Sequence, residues 1–224
     1  MKLPSLCTMN FAALNDEHQL PLLQEQAAAG DQSAFRRIFH FFFERLHRFA
    51  FSLVKTEEGA VEVVDDVFIK LWRNKHALAD IRNLRIYLFA ATKNTALNYI
   101  ARQSGVKHTE PLSVKIEGIK TFASSPEQIL IMTEMMAKMN QAVESLPPKC
   151  RIIFNMVRED GLKYREVAEI LHISIHTVDA QMVIAVSRIR EHVKDYIEFS
   201  GRTGFQKKSL LLLGSLLLEA VLYS

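Results

Sequence analysis

The sequence predicts an all-α protein: two small helical domains joined by a flexible linker, the second with a helix-turn-helix. Three observations carry that reading. Breakers are few, with 8 Gly and 6 Pro in 224 residues, so helix formers dominate. Apolar residues recur at spacings of three and four rather than two. One stretch, residues 104–126, holds two Gly, two Pro and no helical period, and reads as the linker. The division that follows is an N-terminal extension (1–19), a first domain (20–104), a linker (105–126), a second domain (127–198) and a hydrophobic tail (199–224).

Composition narrows the class. Apolar residues make up 49% and charged residues 24% of the chain, a globular balance rather than a disordered, collagen-like or disulfide-scaffold one. Cys7 and Cys150 form no framework and no Cys-x-x-Cys motif, which favours a reducing compartment. The N-terminus is polar, without the apolar core of a signal peptide. A net charge of +3 is small, and no segment is a basic arm that would grip nucleic acid by charge alone. Nucleic-acid contact must then come from local patches or from a partner that holds the chain in place.

The elements follow in order. Gly30-Asp31 suits a helix N-terminus. Phe35, Ile38, Phe39, Phe42, Leu46, Phe49 and Leu53 then form a core stripe, with Phe41 and Phe43 off it, so this helix is expected to be central. A second helix, Glu57 to Arg73, places Val61, Val64, Val67, Phe68, Leu71 and Trp72 on its apolar side. Its first half carries Glu57, Glu58, Glu62, Asp65 and Asp66. Acid there complements the macrodipole, but five acids exceed what a cap needs and suggest a basic protein partner. A loop, His76 to Asn83, leads to a third helix ending near Gln103, with Ile86, Phe89, Ala90, Leu97 and Ile100 expected to be buried. Tyr87, Ala91, Asn94, Asn98 and, less closely, Arg102 share another stripe of that helix. An aromatic ring, two amides and a guanidinium suit the stacking and edge-reading of bases. An ordinary polar surface with a half-buried Tyr fits the same pattern.

In the second domain, Ser125-Pro126-Glu127 opens a helix towards Ser145, and Pro147-Pro148 breaks it. Helices are expected at about 149–159, 163–171 and 174–197, with a turn at Asp160-Gly161. The most specific motif runs from Tyr164 to Val186. Val167, Ala168 and Leu171 face inwards, His172-Ile173-Ser174 make the tight turn, Ser174 caps the next helix, and Val178 and Met182 pack it on the first. This is a helix-turn-helix, and it exposes the start of its second helix to a major groove. Ser174, His176, Thr177, Gln181 and Arg188 are the candidate contacts to bases or phosphate. His172 stands at a turn position where positive φ usually selects Gly. His172 and His176 straddle the turn with no acid or thiol to complete a metal site.

Together these segments resemble the extracytoplasmic-function sigma factors, over about residues 20–198. GDQSAFRRIFHFFFERLHRFAFSLV looks like that family's first conserved helix, and VVDDVFIKLW, Val63 to Trp72, is similar to its polymerase-binding helix. RIYLFAATKNTALNYIARQ resembles the part that captures and melts the minus-ten element. The stretch from LPPKCRIIF to SRIREHV resembles the minus-thirty-five reading domain.

The resemblance implies core RNA polymerase as partner, through its β′ clamp and β flap, with Asp65, Asp66, Phe68, Leu71 and Trp72 on the clamp. It gives Arg85, Tyr87, Lys93, Asn94, Asn98 and Arg102 the minus-ten role, and the loop Ala79 to Asn83 a flipped non-template base. It gives the minus-thirty-five role to Ser174, His176, Thr177, Gln181 and Arg188. Promoter DNA, duplex and single-stranded, and an anti-sigma factor are implied partners, and the cytoplasm the implied location. The linker is expected to thread near the polymerase active-site channel. Two departures, His172 for the turn Gly and Ser187 where a basic residue is frequent, bear on promoter affinity rather than fold.

No catalytic constellation, cofactor motif or small-molecule site is visible, so the chain is not expected to be an enzyme. Two further readings stay open. A stand-alone helix-turn-helix regulator would bind duplex DNA by itself with a salt-dependent slope. A membrane-associated adaptor is suggested by the Leu-rich tail, Leu210 to Tyr223, which is too short for a span and is interrupted by Glu219. That tail equally suits a terminal helix packed on the protein or a partner, or a poorly packed end.

Overall fold

The computed structural model describes residues 11–103 and 137–200, and the expected linker and Leu-rich tail lie outside them. The chain divides into two compact units, Met1–Glu117 and Gly118–Ser224. Among the described residues every regular element is helical.

In the first unit, α1 spans Phe11–Ala28, α2 Gln32–Val54, α3 Glu57–Arg73 and α4 Leu84–Gln103, with a 3-10 turn at Lys75–Asp80. The Asp31 side chain caps α2 by accepting from Ser33 N–H at 2.7 Å and Ala34 N–H at 3.3 Å. α2 is central, packed against α1, α3 and α4. It buries Ile38, Phe42, Leu46 and Phe49, while Phe35 and Phe39 meet α3 edge-on, 6.0 and 4.9 Å from the Phe68 ring. α2 ends on Lys55 at φ 66°, a left-handed residue whose N–H bonds to Phe51 O. Thr56 caps α3 by accepting from Gly59 N–H at 3.3 Å.

Several details of the first unit differ from the sequence expectation. α1 is a helix running across residue 20, where only an extension was expected before the domain. It buries Leu23, Ala27 and Ala28, and its Gln24 amide donates to Leu78 O and Ile81 O, both at 2.6 Å. Those bonds satisfy carbonyls of the segment expected to be a loop, His76 to Asn83, whose first five residues belong to the 3-10 turn. The buried side of α4 is Leu84, Leu88, Phe89, Thr92, Lys93, Thr95 and Ala96, so Leu97 and Ile100 are exposed rather than core. Val61 on α3 is likewise exposed, and Ala60, Val63 and Val64 are buried beside it.

In the second unit, α5 comprises helical residues 137–144, followed by α6 Pro148–Arg158, α7 Tyr164–Leu171 and α8 Ile175–Ser200. α6 and α7 both pack on α8. The core holds Cys150, Ile153, Met156, Leu162, Val167, Ile170, Val178, Met182 and Ala185. Ile170, not Leu171, is the deeply buried residue at the end of α7. Gly161 turns at φ 65°. The Glu166 carboxylate accepts from Lys163 N–H at 2.9 Å, tying down the start of α7.

Candidate polymerase and nucleic-acid interfaces

The helix-turn-helix is built from α7, a three-residue turn and α8, whose axes differ in direction by 112°. That value lies within the range such motifs use. The turn closes as a Schellman motif. His172 sits at φ 56°, ψ 47°, with its N–H bonded to Glu169 O at 3.3 Å and Ile173 N–H bonded to Ala168 O at 3.1 Å. A histidine thus occupies the left-handed position, as the sequence required, and it is solvent-exposed.

Ser174 caps α8: its Oγ accepts from Thr177 N–H at 3.0 Å and lies 2.8 Å from Thr177 Oγ1. The two hydroxyls therefore hold each other at the exposed start of the helix. His176, Thr177 and Arg188 are exposed, and Gln181 is half-buried with its backbone carbonyl 3.3 Å from the Cys150 thiol. Burial pushes that thiol's pKa up, partly countered by Arg188. Tyr164 is also pushed up, by burial and then by the charge of Asp179, against Arg158.

On the first unit, the outer face of α3 is acidic and apolar together. Glu57, Glu58, Val61, Glu62, Asp65 and Asp66 line one open groove. Val61 is 40% and Ile69 48% exposed. Phe68 and Leu71, expected as contacts, are instead buried in the domain core, so they hold the helix while others face outwards. Trp72 is half-buried, its ring 4.8 Å from Phe35 and capped by the Lys75 ammonium at 5.3 Å. Ile69 was missed from sequence because an isoleucine beside Phe68 reads as core.

On α4, Tyr87, Asn94, Asn98 and Arg102 are exposed along one stripe. Asn83 is exposed at the helix start and accepts from Ile86 N–H at 3.1 Å. Arg85 is half-buried. Lys93 is the correction: only 8% exposed, it lies on the core side, and desolvation lowers its pKa. Arg102 pairs with Glu62 across α3 and α4 at 3.6 Å. Among the described residues no three His, Cys, Asp or Glu side chains gather, and no single helix is long and apolar enough to cross a membrane.

Comparison with known proteins decides what these two units are. Sequence models of sigma-70 region 2 and sigma-70 region 4 match residues 42–106 and 136–189, together more than half of the chain. The ECF RNA polymerase sigma-E factor of Escherichia coli K12 is 29% identical over 185 residues, 79% of this chain and 95% of that protein. This chain belongs to the extracytoplasmic-function sigma factor family.

The sigma factor is also 20% identical over 177 residues to SigW of Bacillus subtilis, across 76% of the chain and 95% of that protein. A solved structure of the sigma factor RpoE with the anti-sigma factor NepR from Bartonella quintana has the same fold, with a TM-score of 0.51 and 20% identity over 71% of this chain and 96% of that one. The region 2 match contains α3 and α4, and the region 4 match contains the helix-turn-helix up to Ile189.

Proposed function

We propose that this sigma factor directs core RNA polymerase to promoters with a minus-thirty-five and a minus-ten element and favours strand separation at the latter. The observation that carries this is the pairing, in one chain, of an exposed acidic-apolar α3 face with an exposed aromatic-amide stripe on α4 and a helix-turn-helix. Asp65, Asp66, Val61, Ile69 and the edge of Trp72 seat the polymerase clamp. Tyr87, Asn94, Asn98 and Arg102 take unpaired minus-ten bases by stacking and hydrogen bonding, with Asn83 and Arg85 at the loop end. Ser174, His176, Thr177, Gln181 and Arg188 face the minus-thirty-five element.

The energetic logic is differential binding. Unstacking a base costs a few kcal/mol, and the protein surface must return it without ATP. The chain is a specificity factor rather than an enzyme, and it works in the cytoplasm where polymerase is. RpoE was solved with an anti-sigma factor, and a comparable inhibitor is the reading we extend to this chain.

Run-off transcription tests the proposal. Core polymerase supplied with this protein and a fragmented genomic library should give discrete starts, each preceded by a shared two-part motif. No starts, together with a shift of duplex DNA by the protein alone, would favour a stand-alone regulator.

A further inference from the structure

The reading half of α8 carries an unusual surface for a nucleic-acid helix. From Ile175 to Ser187 there is no Lys or Arg, and the one charged residue is Asp179. His176, Ala180, Val183 and Ser187 are all exposed and recur at spacings of four, three and four, so they form one neutral stripe, with exposed Ile184 beside it. Val183 is 63% exposed, the most of any exposed large apolar residue among the described ones.

Geometry limits what this helix can read. At 1.5 Å per residue, Val183 lies about 12 Å from the start of α8, and Arg188 about 20 Å. A major groove is about 12 Å wide, so a helix that enters it by its start keeps Val183 within about one groove width and carries Arg188 beyond it, towards the flanking backbone. The guanidinium fork that reads guanine is therefore missing from the first half of α8. The apolar feature on a base edge in that groove is the thymine methyl. Exposed basic groups stand at both ends of the motif, Lys163 and Arg165 at the start of α7 and Arg188 and Arg190 on α8, where phosphates would be held. That flanking charge favours a duplex over a protein partner for the stripe.

We propose that Val183, with Ile184 beside it, is a specificity-determining residue that selects thymine methyls, so that the minus-thirty-five element of this sigma factor is read through A·T pairs rather than guanines. Gln181 and Thr177 supply the polar contacts, and Arg188 positions the helix on phosphate. This rests on the promoter-reading role given above.

The test replaces thymine by deoxyuridine, which removes the methyl and leaves every hydrogen-bonding group in place. Core polymerase with the wild-type chain, on a promoter obtained from the start-site mapping, should lose about threefold to fivefold in promoter occupancy per contacted methyl removed. The V183A chain should bind the thymine promoter more weakly by a similar factor and be indifferent to the same deoxyuridine. Val183 is exposed and Ala is a good helix former, so this variant keeps its fold, which circular dichroism checks. Equal sensitivity of wild type and V183A to deoxyuridine would overturn the proposal, since the methyl would then not be read by Val183. So would a mapped minus-thirty-five element whose required pairs are all G·C. An absence of specific starts on any template would overturn the promoter-reading role and this inference with it.

Discussion

His172 bears a cost that its position makes measurable. A non-glycine residue in the left-handed region gives up about 1–2 kcal/mol, less for His than for most, and a glycine would lose about 0.5–1 kcal/mol of chain entropy in exchange. His172 is exposed and no packing is lost with its ring. His172→Gly should therefore raise stability by about 0.5–1 kcal/mol, read as a rise of a few degrees in Tm. Gly59 presents the opposite case. Helix propensity alone would reward Gly59→Ala by about 1 kcal/mol. A Cβ there, however, would stand 2.6 Å from Thr56 Oγ1 and 2.9 Å from the Tyr99 ring. Displacing the capping hydroxyl and the ring should win, with a net loss of about 1–2 kcal/mol in urea unfolding. Lys93 gives a pH signature. Its native pKa lies below its ordinary 10.5, so the unfolded chain holds the proton more tightly and stability rises with pH through the window between the two values. Lys93→Met should raise Tm at neutral pH, and the gain should shrink as pH climbs through that window. A gain that does not change with pH would argue that burial of the charge is not its source.

At the scale of elements, periodicity located α2, α3, α4, α6 and α7 and the start of α8 within a residue or two, because each has an apolar face that must be buried and most have caps or breakers that end them, while the end of α8, expected near 197, lies at Ser200. α1 was not legible. Pro21 lies inside it, and an interior proline costs an isolated helix about 3 kcal/mol. Burial of Leu23, Ala27 and Ala28, and the Gln24 bonds to the turn, hold it in a way only the fold reveals. The faces were harder than the helices. Leu97, Ile100, Val61 and Ile69 are apolar yet exposed, and Lys93, Thr92 and Thr95 are polar yet buried, so hydrophobicity misassigned part of both α3 and α4. The candidate DNA stripe on α4 was legible because Tyr87, Asn94 and Asn98 share a helical angle whatever surrounds them. The Glu62–Arg102 pair joins the two candidate faces and is exposed at both ends, so it adds little stability. Glu62→Gln should leave the unfolding free energy within about 0.5 kcal/mol of wild type while freeing Arg102 for phosphate. In a filter-binding assay with single-stranded minus-ten DNA, the holoenzyme carrying this variant should bind more tightly, and most at low salt.

For the whole molecule, a net charge of +3 and a reading half of α8, Ile175 to Ser187, without Lys or Arg leave little electrostatic affinity for DNA. On the proposed reading a single-domain interface would be weak, and two tethered interfaces gain from effective concentration once polymerase holds both. Polymerase binding is thus the step on which promoter reading depends, and the outer face of α3 is the place to test it. Co-elution of the purified chain with core RNA polymerase on size exclusion, for wild type and for Asp65→Lys and Ile69→Glu, is the most direct measurement. Both substitutions are on exposed positions and should leave the helical circular dichroism intact. Wild type should co-elute and both variants should be lost from the polymerase peak. Failure of the wild-type chain to co-elute, or variants that co-elute as well as it does, would contradict the assignment of α3 as the polymerase-binding helix.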